Sequence, residues 1–256
     1  MQFRFVENAA LPKLAWLAEI EKGGDVVLVR HGAWVDTRAG FFFEGAWAGD
    51  FESGDFRDEP AFGSGAYLDG DAVVFCPPDH VLDRIFFCEA DGRFVVSNSH
   101  AFLLARIDDD ADPLALDYGA AFNAISTGVA NATAPMRTGK GRRFHLLGWQ
   151  HLKVSPSLEH EILDNYKPAE FSDYASYLAY MRSVLGAVFQ NAQAPTRKAR
   201  FTPLATLSSG YDSNAIAAMA QPVGCEEGVT FTRARGGRGE DDDSGKAVGD
   251  ALGMRV

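Results

Sequence analysis

Residues 205–213, which read ATLSSGYDS, decide how the second half of this 256-residue chain is interpreted. They follow a short apolar run that ends at Leu207 and precede an alanine-rich segment, Ser213–Ala220, that is typical of a helix. In a strand–loop–helix unit, free backbone N–H groups point out of the loop and the helix dipole adds partial positive charge. Small side chains let phosphate oxygens reach the backbone. The pattern predicts an anion site, and an ordinary serine-rich turn is the open alternative.

Helices and strands alternate in the rest of this half. Apolar residues recur at three- and four-residue steps from Tyr174 to Phe189, which predicts a helix of about five turns with Ser172 as its N-cap. A strand, a loop and a helix are then predicted, in that order, over Gly228–Thr232, Arg233–Asp243 and Ser244–Leu252. This order predicts βαβ units, and so the start of an α/β domain with a parallel sheet over residues 166–256.

The first part of the chain, residues 1–165, reads as a β-rich α+β domain. Asp91-Gly92 separates the apolar runs Arg84–Ala90 and Arg93–Ser97, which predicts a hairpin with a type I′ turn. Ser99 is then expected to cap a short helix over His100–Ile107. Other strands are predicted over Asp25–Arg30, Phe41–Phe43, Ala72–Cys76 and Gln150–Val154.

Charge and cysteine content narrow the classes of partner. The net charge is −11 and the pI is about 5.0, which argues against nucleic acid or an anionic membrane as the main partner. No run of 18 apolar residues occurs, so we expect no membrane span. Cys76, Cys88 and Cys225 lack metal-ligand spacing, and we see no signal peptide, so a cytoplasmic protein is expected. The first two cysteines fall in strands and should be buried, whereas Cys225 falls in a turn and should be more exposed.

The loop resembles a known motif. Ser208–Ser213 resembles the SGGxDS motif of ATP pyrophosphatases, the PP-loop enzymes, and most of all their asparagine-synthetase branch. Val229–Thr232 resembles the second strand of that branch, and Glu240–Gly253 resembles its acidic pair, helix and Leu-Gly. One position departs from the motif, since Ser209 stands where the family usually has glycine. If that position requires a positive φ angle, serine would weaken ATP binding.

The resemblance implies a site for ATP and Mg²⁺. The ATP phosphates would be cradled by Ser208, Ser209, Gly210, Asp212 and Ser213. The adenine and ribose would be lined, through backbone contacts, by Leu207, Thr230, Phe231 and Thr232. Asp212 would hold Mg²⁺, and the run Asp241–Asp243 lies where the family keeps acidic residues near the metal. The implied reaction adenylates a small-molecule or peptide carboxylate, releases pyrophosphate and ends with attack by an amine.

The first domain resembles the Ntn-hydrolase, glutaminase-like sandwich of the same family. The resembling segments are Asp83–Ser97, Asp117–Gly128 and Gly141–Val154. In glutamine-dependent members a cysteine after the initiator methionine is the nucleophile. Gln2 stands at that position, and its carboxamide cannot serve. The resemblance therefore implies a glutaminase-like domain without glutaminase activity.

Three functions stay open at this stage. The favoured one is an amide ligase whose amine comes from its substrate, similar to the β-lactam synthetases and the lasso-peptide cyclases. The others are an ammonia-dependent asparagine synthetase and a non-catalytic scaffold with a degenerate loop. The synthetase domain is expected to be truncated after Val256. A longer chain or a partner chain would then supply the rest, and a homodimer is the other assembly considered.

Overall fold

The computed structural model describes residues 1–80, 82–115, 118–128, 133–165, 169–231 and 243–256. It is a mixed α and β structure, dominated by sheet, with few helices in the described ranges. The chain divides into two compact units. Unit 1 comprises Met1–Gly45 and Pro60–Lys167, and unit 2 comprises Ala46–Glu59 and Pro168–Val256.

Strands β1 to β13 build the two larger sheets. In chain order they are β1 (Gln2–Glu7), β2 (Trp16–Glu21), β3 (Val26–His31), β4 (Asp36–Thr37), β5 (Phe41–Trp47), β6 (Ala61–Asp69), β7 (Ala72–Cys76), β8 (Ile85–Ala90), β9 (Arg93–Ser97), β10 (Thr133–Arg137), β11 (Arg143–Leu147), β12 (His151–Val154) and β13 (His160–Leu163). One sheet has the order β1-β3-β2-β9-β8-β11-β10, and the other has the order β13-β12-β7-β6-β5-β4.

The remaining elements are two short parallel strands and five helices of the described chain. The strands are β14 (Leu204–Leu207) and β15 (Glu227–Thr230). The helices are α1 (His100–Arg106), α2 (Tyr118–Asn123), α3 (Tyr174–Ala192), α4 (Tyr211–Ala220) and α5 (Lys246–Ala251), with 3₁₀ turns at Ala124–Thr127 and Gln221–Val223. None of these helices is both long and apolar enough to cross a membrane.

The core of unit 1 contains side chains from both large sheets. Trp16 on β2 is fully buried and contacts Phe42 on β5 edge-to-face, with ring centroids 5.0 Å apart. It also stacks on Phe75 of β7 at 6.1 Å. Large aromatic side chains contribute the most apolar area to a core, roughly 1.5–3 kcal/mol each when fully buried. The two sheets therefore share one hydrophobic cluster.

The hairpin prediction is confirmed. Strands β8 and β9 pair in antiparallel fashion across Asp91 and Gly92, whose φ angles are 53° and 73°. Two consecutive positive φ angles are what a type I′ turn requires. Ser99 is also confirmed as the N-cap of α1, because its side chain accepts a hydrogen bond from the N–H of Phe102 at 3.4 Å.

The starts of α3, α4 and α5 were predicted less accurately than the start of α1. The N-cap of α3 is Asp173 and not Ser172, because Asp173 and Ser176 form a capping box. Asp173 Oδ1 accepts from the Ser176 N–H at 2.7 Å, and Ser176 Oγ accepts from the Asp173 N–H at 3.2 Å. The other two starts also differ, since α4 begins at Tyr211 and α5 at Lys246.

The cysteines also separate into confirmed and corrected predictions. Cys76 and Cys88 are buried as predicted, and burial raises the pKa of the Cys88 thiol to about 12. Cys225 is buried too, which contradicts the predicted exposure. Although it follows a turn, it packs into the cluster formed by β14 and α4, beside Ala205 and Ala217. All three thiols are therefore shielded from solvent.

Unit 2 includes a segment that sequence reasoning had assigned to the first domain. Asn191 on α3 donates from Nδ2 to the carbonyl oxygen of Gly49 at 3.0 Å and accepts at Oδ1 from the N–H of Trp47 at 3.3 Å. Arg197 lies with its guanidinium 4.6 Å from the ring centre of Phe51. These contacts explain why Ala46–Glu59 groups with the second part of the chain.

Candidate functional site

The candidate site lies where two parallel strands end at the same edge. Strands β14 and β15 pair so that Leu207 lies opposite Thr230. The loop after β14 leads into α4, whose N-cap is Gly210, with φ −77° and ψ 156°. This cap makes no side-chain hydrogen bond, and the first N–H groups of a helix have no acceptor inside it. The start of α4 therefore presents backbone donors and the positive end of the helix dipole.

Two serine hydroxyls join the ends of this loop. Ser208 Oγ lies 2.7 Å from Ser213 Oγ, which connects the end of β14 to the first turn of α4. Ser208 Oγ also accepts the Gly210 N–H at 3.1 Å. Both serines are half-buried. These two hydrogen bonds link the end of β14, the loop and the first turn of α4.

An acidic residue already contacts the loop. The Ser209 N–H donates to Asp243, both to the backbone carbonyl at 3.2 Å and to Oδ1 at 3.3 Å. The Ser209 hydroxyl donates to the same carboxylate oxygen. Ser209 therefore binds an anionic group in the folded chain. A phosphate at this position would share or replace the contact with Asp243.

Ser209 does not have the positive φ angle that would strain a serine. Among the described residues other than glycine, positive φ angles occur at Asp91, Asp108, Trp149 and Leu158. Ser209 is not among them, and Gly210 also has a negative φ. Serine at the second position of the motif therefore costs no backbone strain here.

The residues assigned to the adenine and ribose side have different surroundings. Leu207 is 3 % exposed, and its side chain is so close to Gly245 that a Cβ added there would lie 2.6 Å from Leu207 Cβ. Thr230 accepts the Gly245 N–H at Oγ1 at 2.8 Å, which ties β15 to the start of α5. Phe231 is 69 % exposed beside this edge. Thr232 lies outside the described residues.

Two residues of the described loop region are candidate magnesium ligands. Asp212 is exposed in the first turn of α4 and forms no hydrogen bond or ion pair in the described structure. Asp243 lies on the other side of the loop, against Ser209. Carboxylate oxygens are the ligands that Mg²⁺ prefers, so these two side chains fit the ion by chemistry. Within the described ranges no group of three or more His, Cys, Asp or Glu could hold a metal, and Asp241 and Asp242 fall outside those ranges.

The structure also shows where Gln2 lies, the residue that the resemblance compares with the nucleophile of the glutaminases. Gln2 is the first residue of β1, and its N–H donates to the carbonyl oxygen of Asp25 at 2.7 Å. It lies opposite Val26 of β3. A carboxamide at the start of an edge strand offers no nucleophilic atom.

Sequence reasoning placed Asp243 in an acidic run near the site but missed its contact with Ser209, and it missed one separate feature. The contact of Asp243 with Ser209 joins residues 34 positions apart, and no local pattern signals it. The second feature is Glu44, whose carboxylate accepts from the Ser64 N–H at 3.0 Å and from Ser64 Oγ at 2.8 Å. Burial raises the pKa of Glu44 to about 7, against the opposing effect of these hydrogen bonds.

Comparison with known proteins identifies no family for this chain. No protein-family model matches the chain, and no curated protein matches it.

Proposed function

We propose that this chain is an ATP-dependent, AMP-forming amide ligase of the asparagine-synthetase type that lacks glutaminase activity. The observation that carries the proposal is the loop Ser208–Ser213. It lies between a strand of a parallel pair and a helix N-terminus whose first N–H groups have no intrahelical acceptor. Anions bind at such a junction because backbone donors and the helix dipole act together.

The chain's own residues would divide the binding of ATP between them. The N–H groups that begin α4 and the Ser213 hydroxyl would donate to phosphate oxygens. Ser208 would keep the loop in shape through its bond to Ser213. Asp212 and Asp243 would orient Mg²⁺, which when bound neutralises the charge that develops on departing pyrophosphate.

The amine would not come from glutamine. Gln2 lies where the glutaminase branch has its nucleophile, and neither its amide nitrogen nor its oxygen attacks a carbonyl. We propose that unit 1 keeps the Ntn-hydrolase, glutaminase-like sandwich as a structural domain and that the part of unit 2 after Lys167 belongs to a PP-loop α/β domain. The partner would be a small-molecule or peptide carboxylate in the cytoplasm, and the amine would belong to a substrate. An ammonia-dependent asparagine synthetase is the alternative within the same class.

One observation favours a second candidate, a non-catalytic scaffold. Asp243 occupies both the N–H and the hydroxyl of Ser209, two donors that a phosphate would use. If this contact persists in the presence of nucleotide, the loop is closed to ATP. In the ligase, Asp243 would instead help to hold Mg²⁺, and the ion would offset the repulsion between the carboxylate and the phosphates.

The products of the proposed reaction provide the test. In an AMP-forming enzyme, AMP and Mg-pyrophosphate occupy one site side by side. Calorimetric titration should show that Mg-pyrophosphate does not weaken the binding of AMP and that ATP displaces both. Incubation with glutamine should release no ammonia. If neither AMP nor ATP binds to the folded chain, the ligase proposal is wrong and the scaffold is supported.

A further inference from the structure

A pocket unrelated to the loop lies on unit 1. It has a volume of about 360 Å³ and is formed on one face of the seven-stranded sheet, beside the end of α1. Its lining includes four arginines, Arg4, Arg30, Arg93 and Arg106. Such a concentration of guanidinium groups is unexpected in a chain with a net charge of −11. The volume falls within the range of small-molecule sites, about 300–1,000 Å³.

Strand register explains why these side chains meet. Arg4 on β1 lies opposite Leu28 on β3, and Leu28 lies opposite Glu19 on β2. Residues directly opposite in neighbouring strands point to the same face of a sheet. Glu21 on β2 lies opposite Arg93 on β9 and, two residues from Glu19, shares that face. The pairing of four strands thus gathers separate parts of the sequence into one surface.

A buried carboxylate lies at the centre of the cluster. Glu19 is 4 % exposed and forms ion pairs with three arginines. Its Oε1 lies 2.5 Å from Nη2 of Arg106 and 3.5 Å from Nη1 of Arg93, and its Oε2 contacts Arg30. A carboxylate offers about four lone-pair sites, whereas each guanidinium carries five N–H donors. Most donors of the three arginines are therefore not used by Glu19.

The fourth arginine adds a charge with no counterion. Arg4 is exposed at the pocket wall and forms no ion pair in the described structure. The other two lining carboxylates, Glu21 and Asp25, are at exposed positions, where water weakens their interaction with the arginines. The apolar side chains of Val26 and Leu28 also line the pocket. It therefore combines excess positive charge with an apolar surface.

We propose that this pocket is a binding site for a small phosphorylated metabolite, distinct from the ATP loop. Guanidinium groups bind phosphate through paired, charge-assisted hydrogen bonds, and several of them converge here. Arg4 contacts the phosphate, while Glu19 is a positioning residue that holds Arg30, Arg93 and Arg106 in place. The organic part of the ligand packs on Leu28. This site does not depend on the proposed ligase function, because all its residues belong to unit 1.

The test compares two arginines on the same sheet. Inorganic phosphate and glycerol phosphate are titrated into the full chain at constant ionic strength, with EDTA present to prevent magnesium-dependent binding at the loop. Arg4→Gln removes a pocket arginine that has no ion pair to lose, so the fold should be kept. Arg143→Gln is the matched control, because Arg143 is exposed on β11 and does not line the pocket.

The expected result separates the two variants. Arg4→Gln should weaken binding about tenfold, the effect of losing one charge-assisted hydrogen bond, and Arg143→Gln should change it by less than about twofold. Tighter binding of glycerol phosphate than of inorganic phosphate would support the contact with the apolar surface. If the parent binds neither ligand, or if both variants bind as the parent does, the arginines serve only to fix α1 to the sheet. That result would overturn the proposal and leave the ligase function untouched.

Discussion

The hydroxyls of Ser208 and Ser213 lie 2.7 Å apart, and this contact connects the first residue of the loop to the first turn of α4. Ser208 also accepts the Gly210 N–H at 3.1 Å. One side chain thus organises both the turn and the helix start. The Ser208 hydroxyl therefore fixes the start of α4 relative to the end of β14.

The first prediction concerns this pair of serines. Ser208→Ala should lower the free energy of unfolding by about 1–2 kcal/mol, because it removes two hydrogen bonds, and Ser213→Ala should lower it by about half as much. Urea denaturation of both variants and of the double variant gives the coupling between the hydroxyls, expected near 0.5 kcal/mol or more. If Ser213→Ala lowers the free energy of unfolding more than Ser208→Ala does, Ser208 does not organise the turn.

The second prediction concerns the packing of α5 beneath the loop. A Cβ at Gly245 would lie 2.6 Å from the backbone nitrogen of Ser208, so Gly245→Ala should destabilise the chain by about 1–3 kcal/mol and weaken ATP binding. Gly186→Ala is the matched control. Gly186 lies inside α3, and a Cβ there would lie at an ordinary 3.8 Å from Val223 in the 3₁₀ turn, so Gly186→Ala should stabilise the chain by roughly 0.5–1 kcal/mol. Thermal unfolding of both variants shows whether each one is less or more stable than the parent. An equal change in stability for Gly245→Ala and Gly186→Ala would contradict the packing described.

The third prediction concerns the carboxylate of Asp243, which contacts Ser209. Asp243→Asn removes a negative charge next to the site proposed for phosphate. The repulsion between that charge and the phosphates is about 1 kcal/mol. In the absence of Mg²⁺, the variant should therefore bind ATP about fivefold more tightly than the parent does. Asp250→Asn, on the exposed side of α5, should have no such effect. Titration in EDTA measures this difference. Equal affinity in the two variants would mean that Asp243 does not compete with phosphate.

The fourth prediction follows from the raised pKa of Glu44, about 7. Below pH 4.5 the carboxyl is protonated in both states, so its contribution to stability is complete. Between pH 4.5 and about 7 the unfolded chain releases a proton that the folded chain keeps, so stability falls as pH rises, by at most about 3 kcal/mol. Above about pH 7 the loss is complete.

Glu44→Gln should remove this dependence, because an amide oxygen can accept the same hydrogen bonds from Ser64 without ionising. Relative to the parent, the variant should gain stability between pH 5 and pH 8, as measured by urea denaturation. Glu89→Gln, at an exposed position of β8, is the control and should leave the profile unchanged. A parallel profile for Glu44→Gln and the parent would refute the assignment.

Local rules predicted what neighbouring residues determine. Asp91 and Gly92 adopt the positive φ angles expected for the turn, and Ser99 caps α1. These features depend on backbone sterics and on hydrogen bonds within four residues, which the sequence displays directly. The cap of α3 was misplaced by one residue because adjacent Ser172 and Asp173 are both good caps, and only the pairing with Ser176 distinguishes them.

Long-range contacts were not predictable in the same way. The contact of Ser209 with Asp243 and the contacts of Asn191 with the segment Ala46–Glu59 join residues far apart in the chain. The arginines that line the pocket come from β1, β3, β9 and α1. Strand register brings the first three together, and the ion pair with Glu19 joins Arg106 of α1 to them. Sequence periodicity states which face a side chain occupies within one element, but not which elements become neighbours.

The central claim is that the loop Ser208–Ser213 binds the phosphates of ATP with Mg²⁺, and Asp212 provides its most direct test. Asp212 is exposed and makes no contact that the fold needs, so Asp212→Ala should fold normally. Glu226→Ala, an exposed carboxylate before β15, is the control. The measurement is the thermal shift of the three proteins with ATP, with and without Mg²⁺.

A ligand that binds only the folded state stabilises it, by about 2.7 kcal/mol at one hundred times its Kd. We predict a magnesium-dependent rise in the melting temperature for the parent and for Glu226→Ala, and no rise for Asp212→Ala. If Asp212→Ala gains as much stability from Mg-ATP as the parent does, the loop is not the nucleotide site that we propose.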